Sequence, residues 1–359
     1  MKSLHAHAHS HHGSRGFTIV DLTATLAASV VFAAVALPLA NAKDDISLRV
    51  ISRMNLAELN EVHSTYAADH EDGQFSVIPD NYGQYNNPTA YQAANGCIDP
   101  LILGTGPQGT VWGYYIGCAA TGSPGSSGNM INYQPINMYS GSNGAYRLAN
   151  CAKLNAYANG RFYDPLFYAA EDNSVTAEMR KFIRNGTDFA MTSNNRFARS
   201  SYTMSPAAMF HPAIMGDGDP KDDAHMGSAS GGDVGGMGFQ SPSVSQCLYP
   251  SLKTRLMEHF MMENAPAPCN PAYAGCVPYV WNQSIASTNL ALFYDGSVDV
   301  FSAQEAMDAD AMSGSGLWMR NTIMGSAGLG GMWSADSIVR TSAHFLTRFG
   351  IRGRDRLEE

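Results

Sequence analysis

Charge is scarce in this chain: Asp, Glu, Lys and Arg together make up 15% of 359 residues, with a formal net charge of −9. Nucleic-acid binding needs clustered Lys and Arg to replace phosphate counterions. No such cluster occurs, which excludes nucleic acid as a partner. Cysteine is sparse, at 97, 118, 151, 247, 269 and 276, with no two closer than seven positions, so there is no C-x-x-C metal or redox motif. Also lacking are a G-x-S-x-G nucleophile elbow, a Walker A loop and an H-E-x-x-H zinc motif. His70-Glu71 comes nearest to the last and has no second His. His211, His225, His259 and His344 are scattered among many Ser and Asp residues, in no spacing that marks catalysis. The reading is therefore a non-enzyme.

What is present suits an exported, loop-rich, β-containing protein. Apolar residues reach 45% and glycines number 35, enough for a sizeable core between flexible connections. Length allows one large or two ordinary domains. An even number of cysteines in an exported chain is compatible with three disulfides. Cys269 and Cys276, flanking Asn-Pro-Ala-Tyr-Ala-Gly, form the first candidate pair and Cys97 with Cys118 the second. Buried free thiols are the alternative.

The N-terminus carries the strongest pattern. Residues 1–16 are polar and contain His5, His7, His9, His11 and His12 before Ser14-Arg15-Gly16. The histidines invite a metal-binding reading, which removal of the segment would void. From 17 to 42 the chain is nearly all apolar or small, long enough to span a bilayer at about 20 residues. Lys2 and Arg15 lie on its N-terminal side, which keeps that side cytoplasmic and sends the bulk across. Ala40-Asn41-Ala42 offers a signal-peptidase site, so a secretory signal competes with an anchor. Asp21 speaks against an ordinary signal, because a carboxylate inside a membrane span is costly and points to function.

Arg15-Gly16-Phe17-Thr18-Ile19-Val20-Asp21-Leu22 resembles the type IV prepilin cleavage and methylation site. The resemblance implies cleavage after Gly16, methylation of Phe17, and an acid at the fifth mature position, here Asp21 where that family usually has Glu. Pro38 falls at the twenty-second mature position, where pilins often carry a helix-bending proline. Physically, the Asp21 carboxylate can pair with the new N-terminus of a neighbouring subunit and set axial register. Pro38 removes one helix hydrogen bond and permits a bend. The family implies a prepilin peptidase, sibling pilin-like subunits and an inner-membrane assembly platform as partners.

Beyond Pro38, Ile46, Val50, Met54, Ala57, Glu61 and Ser64 recur at helical spacing, with Leu48, Ile51, Leu56 and Leu59 widening the stripe. The spacing predicts a helix to about His70 that stops at Asp72-Gly73, with His63 and His70 as packing or surface residues. Between 75 and 160, Gly, Asn, Tyr and Pro predict short strands, one of them within Val111–Ile116, and long loops. A short helix is expected from Ser174, as its cap, to Arg184, and a last one over 335–349. Residues 226–238 form a Gly-rich loop. Asp295-Gly296, between two apolar runs, predicts a two-residue hairpin with Phe293 opposite Val298 and Ala291 opposite Val300.

The hairpin resembles the C-terminal Asp-Gly motif of planctomycete-type pilin-like proteins, and Pro250–Arg255 and Pro278–Asn282 resemble one branch of that group. A His that the group places ahead of the motif is Ile285 here. The acidic loop of Asp217, Asp219, Asp222 and Asp223 is a candidate for Ca²⁺, although its spacing is not that of an EF-hand. The expectation is an α+β, pilin-like architecture: leader 1–16, membrane and assembly helix 17–42, amphipathic continuation 43–72, and exported head 73–359. The rival expectation is a tethered or secreted binding protein or enzyme with an ordinary signal anchor.

Overall fold

The computed structural model describes residues 46–76, 148–172, 200–212, 241–258, 288–302 and 349–357. Shorter pieces are described at 84–85, 93–95, 102–105, 111–113, 146, 175–176, 179, 305, 308–309, 344 and 347. Contacts divide the chain into Met1–Leu48 and Arg49–Glu359. Of the first unit only 46–48, which are helical, are described; everything below concerns the second.

That helix, α1, covers 46–69. Its buried face is Ser52, Leu56, Leu59, Val62, His63, Tyr66 and Ala67, a pattern of threes and fours. This corrects the predicted stripe. Leu56 and Leu59 are buried as expected, but Val50, Ile51 and Met54 are 51%, 47% and 65% exposed. The true face includes Ser52 and His63, which an apolar count passes over; Ser52 Oγ is buried because it accepts the Ala170 N–H at 2.9 Å. The stop at Asp72-Gly73 is as expected. Glu71 and Asp72 turn into the left-handed region (φ 53 and 68), and the Asp72 and Gly73 N–H groups close the last turn onto Ala67 and His70 carbonyls.

A small antiparallel pair joins β1 (Ile102–Thr105) to β2 (Val111–Gly113), within the predicted strand segment. The main sheet is antiparallel in the order β3 (Tyr202–Met204), β4 (Thr254–Glu258), β5 (Thr288–Phe293), β6 (Val298–Ser302). The architecture is α+β. Helix α1 touches all four strands. Tyr202 Oη reaches the Ser52 carbonyl, Arg255 reaches Asn60, and Arg49 and Arg53 donate to carbonyls of Thr288 and Val298. Every residue of β4 is buried, as is β5 after Thr288.

The β5–β6 hairpin forms, with its register one residue from the prediction. Leu292 faces Val298, Ala291 faces Asp299 and Leu290 faces Val300. Instead of a two-residue turn, three residues (Tyr294, Asp295, Gly296) lie between Phe293 and Ser297, which bond through the Phe293 N–H. Gly296 takes φ 87, the left-handed residue that such a loop requires. Asp295 Oδ1 accepts both the N–H and the hydroxyl of Ser297, fixing the turn. The β5 side is covered on both faces as expected, whereas Asp299 of β6 is exposed.

Asp172 Oδ1 accepts the Val175 N–H and its carbonyl the Thr176 N–H, while the predicted cap, Ser174, lies outside the described residues. Met179 is buried as expected. A final helix through 349 is excluded, because His344 and Phe349 have φ of 66 and 63. His344 N–H and the Thr347 hydroxyl instead donate to Asp355. No helix among the described residues is long and apolar enough to cross a membrane. The expected span, 17–42, lies outside them.

Candidate functional site

The site grows from β4. Lys253, just before the strand, and Arg255 and Glu258 within it, place three ionisable groups in the interior at 0%, 5% and 1% exposure. A buried charge must be paired, neutralised or left uncompensated at a cost. Each of the three follows a different course.

Lys253 is paired. Its Nζ donates to Asp355 Oδ2 at 2.8 Å, to Ser205 Oγ at 2.8 Å and to Thr347 Oγ1 at 3.0 Å, which uses all three protons. Asp355 also accepts from the Thr254 N–H and hydroxyl, the His344 N–H and the Thr347 hydroxyl. Burial by itself would raise the Asp355 pKa, but the Lys253 ammonium, the nearby His344 and these donors hold it at about 2. With the Thr254 proton given to Asp355, His344 Nδ1–H becomes the donor to Thr254 Oγ1 at 2.7 Å. Ser205, His344 and Asp355 thus meet, but not as a triad: Ser205 donates to the His344 carbonyl, not to its ring. Every member is at most 2% exposed, so no substrate reaches it. The network clamps the C-terminal segment onto β4.

Glu258 is neutralised. Its Oε2 accepts the Leu290 N–H at 2.9 Å. Burial pushes its pKa to about 8, against which the Leu290 bond and the Arg49 and Ser52 groups pull only partly. At neutral pH it is a protonated acid.

Arg255 is left uncompensated. The pairs Thr254–Phe293 and Leu256–Leu292 enclose it as an extra residue, so a β-bulge at Arg255 re-aims its side chain. The guanidinium lies 5.4 Å from the Tyr294 ring centroid. Its Nη1 makes a long 3.4 Å contact with Asn60 Oδ1, while among the described residues Nε and Nη2 have no hydrogen-bond partner. Both ring nitrogens of His63 on α1 are likewise buried without a partner among the described residues, and burial together with the Arg255 charge lowers its pKa, so the ring is neutral. A cavity of about 290 Å³ adjoins the arginine, lined by Ser64, Ala67, Ala68, Asp72, Val244 and Arg255. The hairpin turn braces this corner: an added Cβ at Gly296 would come within 2.9 Å of Asn60 Nδ2. Gly296→Ala is therefore expected to cost about 1–3 kcal/mol, through its positive φ and the displaced Asn60. Denaturant unfolding of the variant beside the wild type measures the loss.

Of the residues singled out in the sequence, Asp295 and Gly296 stand at this corner. The Pro250–Arg255 segment also arrives here, through Asp295 N–H to the Pro250 carbonyl and Tyr294 N–H to that of Lys253. Cys151 and Cys247 are free thiols, so the set of three disulfides is not formed. Gly16, Phe17, Asp21, Pro38, Cys97, Cys118, Cys269, Cys276 and the Asp217–Asp223 loop lie outside the described residues. Among the described residues no group of three or more metal-ligating side chains gathers. His63 is a packing residue and His70 stacks on Tyr66 with ring centroids 3.8 Å apart, both as expected. Sequence reading missed the roles of Lys253, Arg255, Glu258 and Asp355. The available signal was three charged residues within the six positions 253–258, in a chain where charge is scarce.

Comparison with protein-family models, with curated proteins and with solved structures finds no match to this chain.

Proposed function

We propose that the chain is a structural pilin- or pseudopilin-like subunit of a type II secretion or type IV pilus-like system. Prepilin peptidase would cut it after Gly16. Residues 17–42 would hold it in the inner membrane by one pass, and the head would stand on the extracytoplasmic side. One observation carries this reading. Helix α1 buries one face on an antiparallel sheet while leaving Val50, Ile51 and Met54 exposed at the end nearest the apolar segment. Exposed apolar residues grouped on one element mark an interaction surface, and sibling helices in a bundle would cover them. Asp21 would set the register of that bundle and Pro38 its bend. The enclosed Lys253–Asp355 network fits a head built for rigidity.

Mass spectrometry of the intact N-terminus from the native membrane fraction tests the proposal. The expected mature start is Phe17, bearing an N-methyl group. A start at Lys43 would show signal-peptidase processing and sink the pilin reading. The rival, a tethered or secreted binding protein, draws support from the cavity at Arg255 and would be left standing by that outcome.

A further inference from the structure

We propose that Arg53 and Arg356 lock the open edge of the main sheet, and that without them strand β6 pairs antiparallel with β6 of a second copy. The inference goes beyond the pilin reading and does not depend on it. In the order β3-β4-β5-β6 the sheet has two edge strands. Strand β3 is three residues long and wholly buried. Strand β6 is five residues long, with Val298, Val300 and Ser302 half-buried and Asp299 exposed, and it has no outer strand among the described residues. Such an edge presents a row of backbone donors and acceptors to any other extended chain.

Register shows which groups point outward. Antiparallel strands alternate between pairs that exchange hydrogen bonds and pairs that do not. The Phe293 N–H bonds the Ser297 carbonyl, so Leu292–Val298 and Leu290–Val300 are the non-bonded pairs. Val298 and Val300 therefore turn their N–H and C=O away from β5. Both outward carbonyls are taken by guanidinium groups brought from other parts of the chain. Arg53 Nη1, on α1, donates to the Val298 carbonyl at 2.5 Å, and Arg356 Nη2 donates to the Val300 carbonyl. Arg356 is itself fixed by ion pairs with Asp299 at 3.1 Å and Glu305 at 2.5 Å, and its guanidinium lies 4.6 Å from the Phe293 ring centroid. A guanidinium seated on each carbonyl fills the path of an incoming strand.

The strand's own sequence names what would seat there. Val-Asp-Val-Phe-Ser is rich in strand-forming residues. Paired antiparallel about Val300, it sets Val300 against Val300 and Val298 against Ser302, so the outward groups meet in register. Asp299 then faces the copy's Phe301 and not its Asp299, so no like charges oppose each other.

Sedimentation equilibrium of the full-length protein in detergent tests the proposal, with each variant compared to wild type so that any association through residues 17–42 cancels. Arg53→Ala combined with Arg356→Met, the methionine stem still covering Phe293, is expected to self-associate at least about tenfold more tightly than wild type. Adding Val300→Pro, which deletes an outward N–H and spares the bonds to β5, is expected to abolish the gain. Arg53 is exposed, so Arg53→Ala alone keeps the fold and should show a smaller gain. No gain in either variant would overturn the proposal, as would a gain that Val300→Pro leaves in place. A Phe17 or Lys43 start of the mature chain bears on the pilin reading alone.

Discussion

Asp355→Ala is expected to destabilise the head by about 3–5 kcal/mol, because it leaves the Lys253 ammonium buried and unneutralised. The wild-type pair has both side chains at 0% exposure and 2.8 Å apart, so solvent cannot take over from the lost partner. Lys253→Met alone is expected to be damaging for the mirror reason. Lys253→Met combined with Asp355→Leu should cost clearly less than the two single changes added together. Urea unfolding of the four proteins at neutral pH gives the coupling directly. Additive effects would show that the network is not acting as a unit. The pH dependence has a fixed sign. A carboxyl whose pKa falls from 3.8 to about 2 on folding contributes stability that is present above pH 3.8 and lost as pH drops toward 2. The shift of just under two units corresponds to about 2 kcal/mol.

Glu258→Gln is expected to act in the opposite direction. The wild-type acid has its pKa raised from 4.5 to about 8 in the folded state. Between these values the folded protein holds a proton that the unfolded chain has released. Stability therefore falls as pH rises from about 4.5 to about 8 and levels off above it. The upper bound on this loss is about 4–5 kcal/mol. Gln keeps an oxygen for the Leu290 N–H and cannot ionise, so the variant should match wild type near pH 4.5 and exceed it at pH 8. Thermal melts across that range decide the matter. Equal slopes for variant and wild type would mean that Glu258 does not titrate as its burial implies.

Helix α1 shows where sequence reasoning holds and where it stops. Its end at Asp72-Gly73 follows from local rules, the apolar period and the turn-forming residues after it. Its buried face does not. Val50, Ile51 and Met54 give one apolar side and Leu56, Leu59 and Val62 another, so period alone cannot choose between them. The sheet chooses, by offering the Ala170 N–H to Ser52 and a packed interior to Tyr66. The hairpin repeats the lesson at smaller scale. Asp295-Gly296 marks the turn, but the three-residue loop moves the register by one, and with period two every facing pair changes.

By itself the sequence determined the α+β composition, the C-terminal end of α1, a strand at Val111–Gly113 and a hairpin at Asp295-Gly296. Each arises from residues adjacent in the chain, whose propensities and turn geometry act before any tertiary contact forms. Only the tertiary structure decided which charges of β4 are paired, neutral or uncompensated. Lys253 meets an acid 102 positions away, and Arg255 faces an asparagine 195 positions away. The state of a buried charge depends on what the fold brings beside it and how completely water is excluded, and no local pattern encodes either.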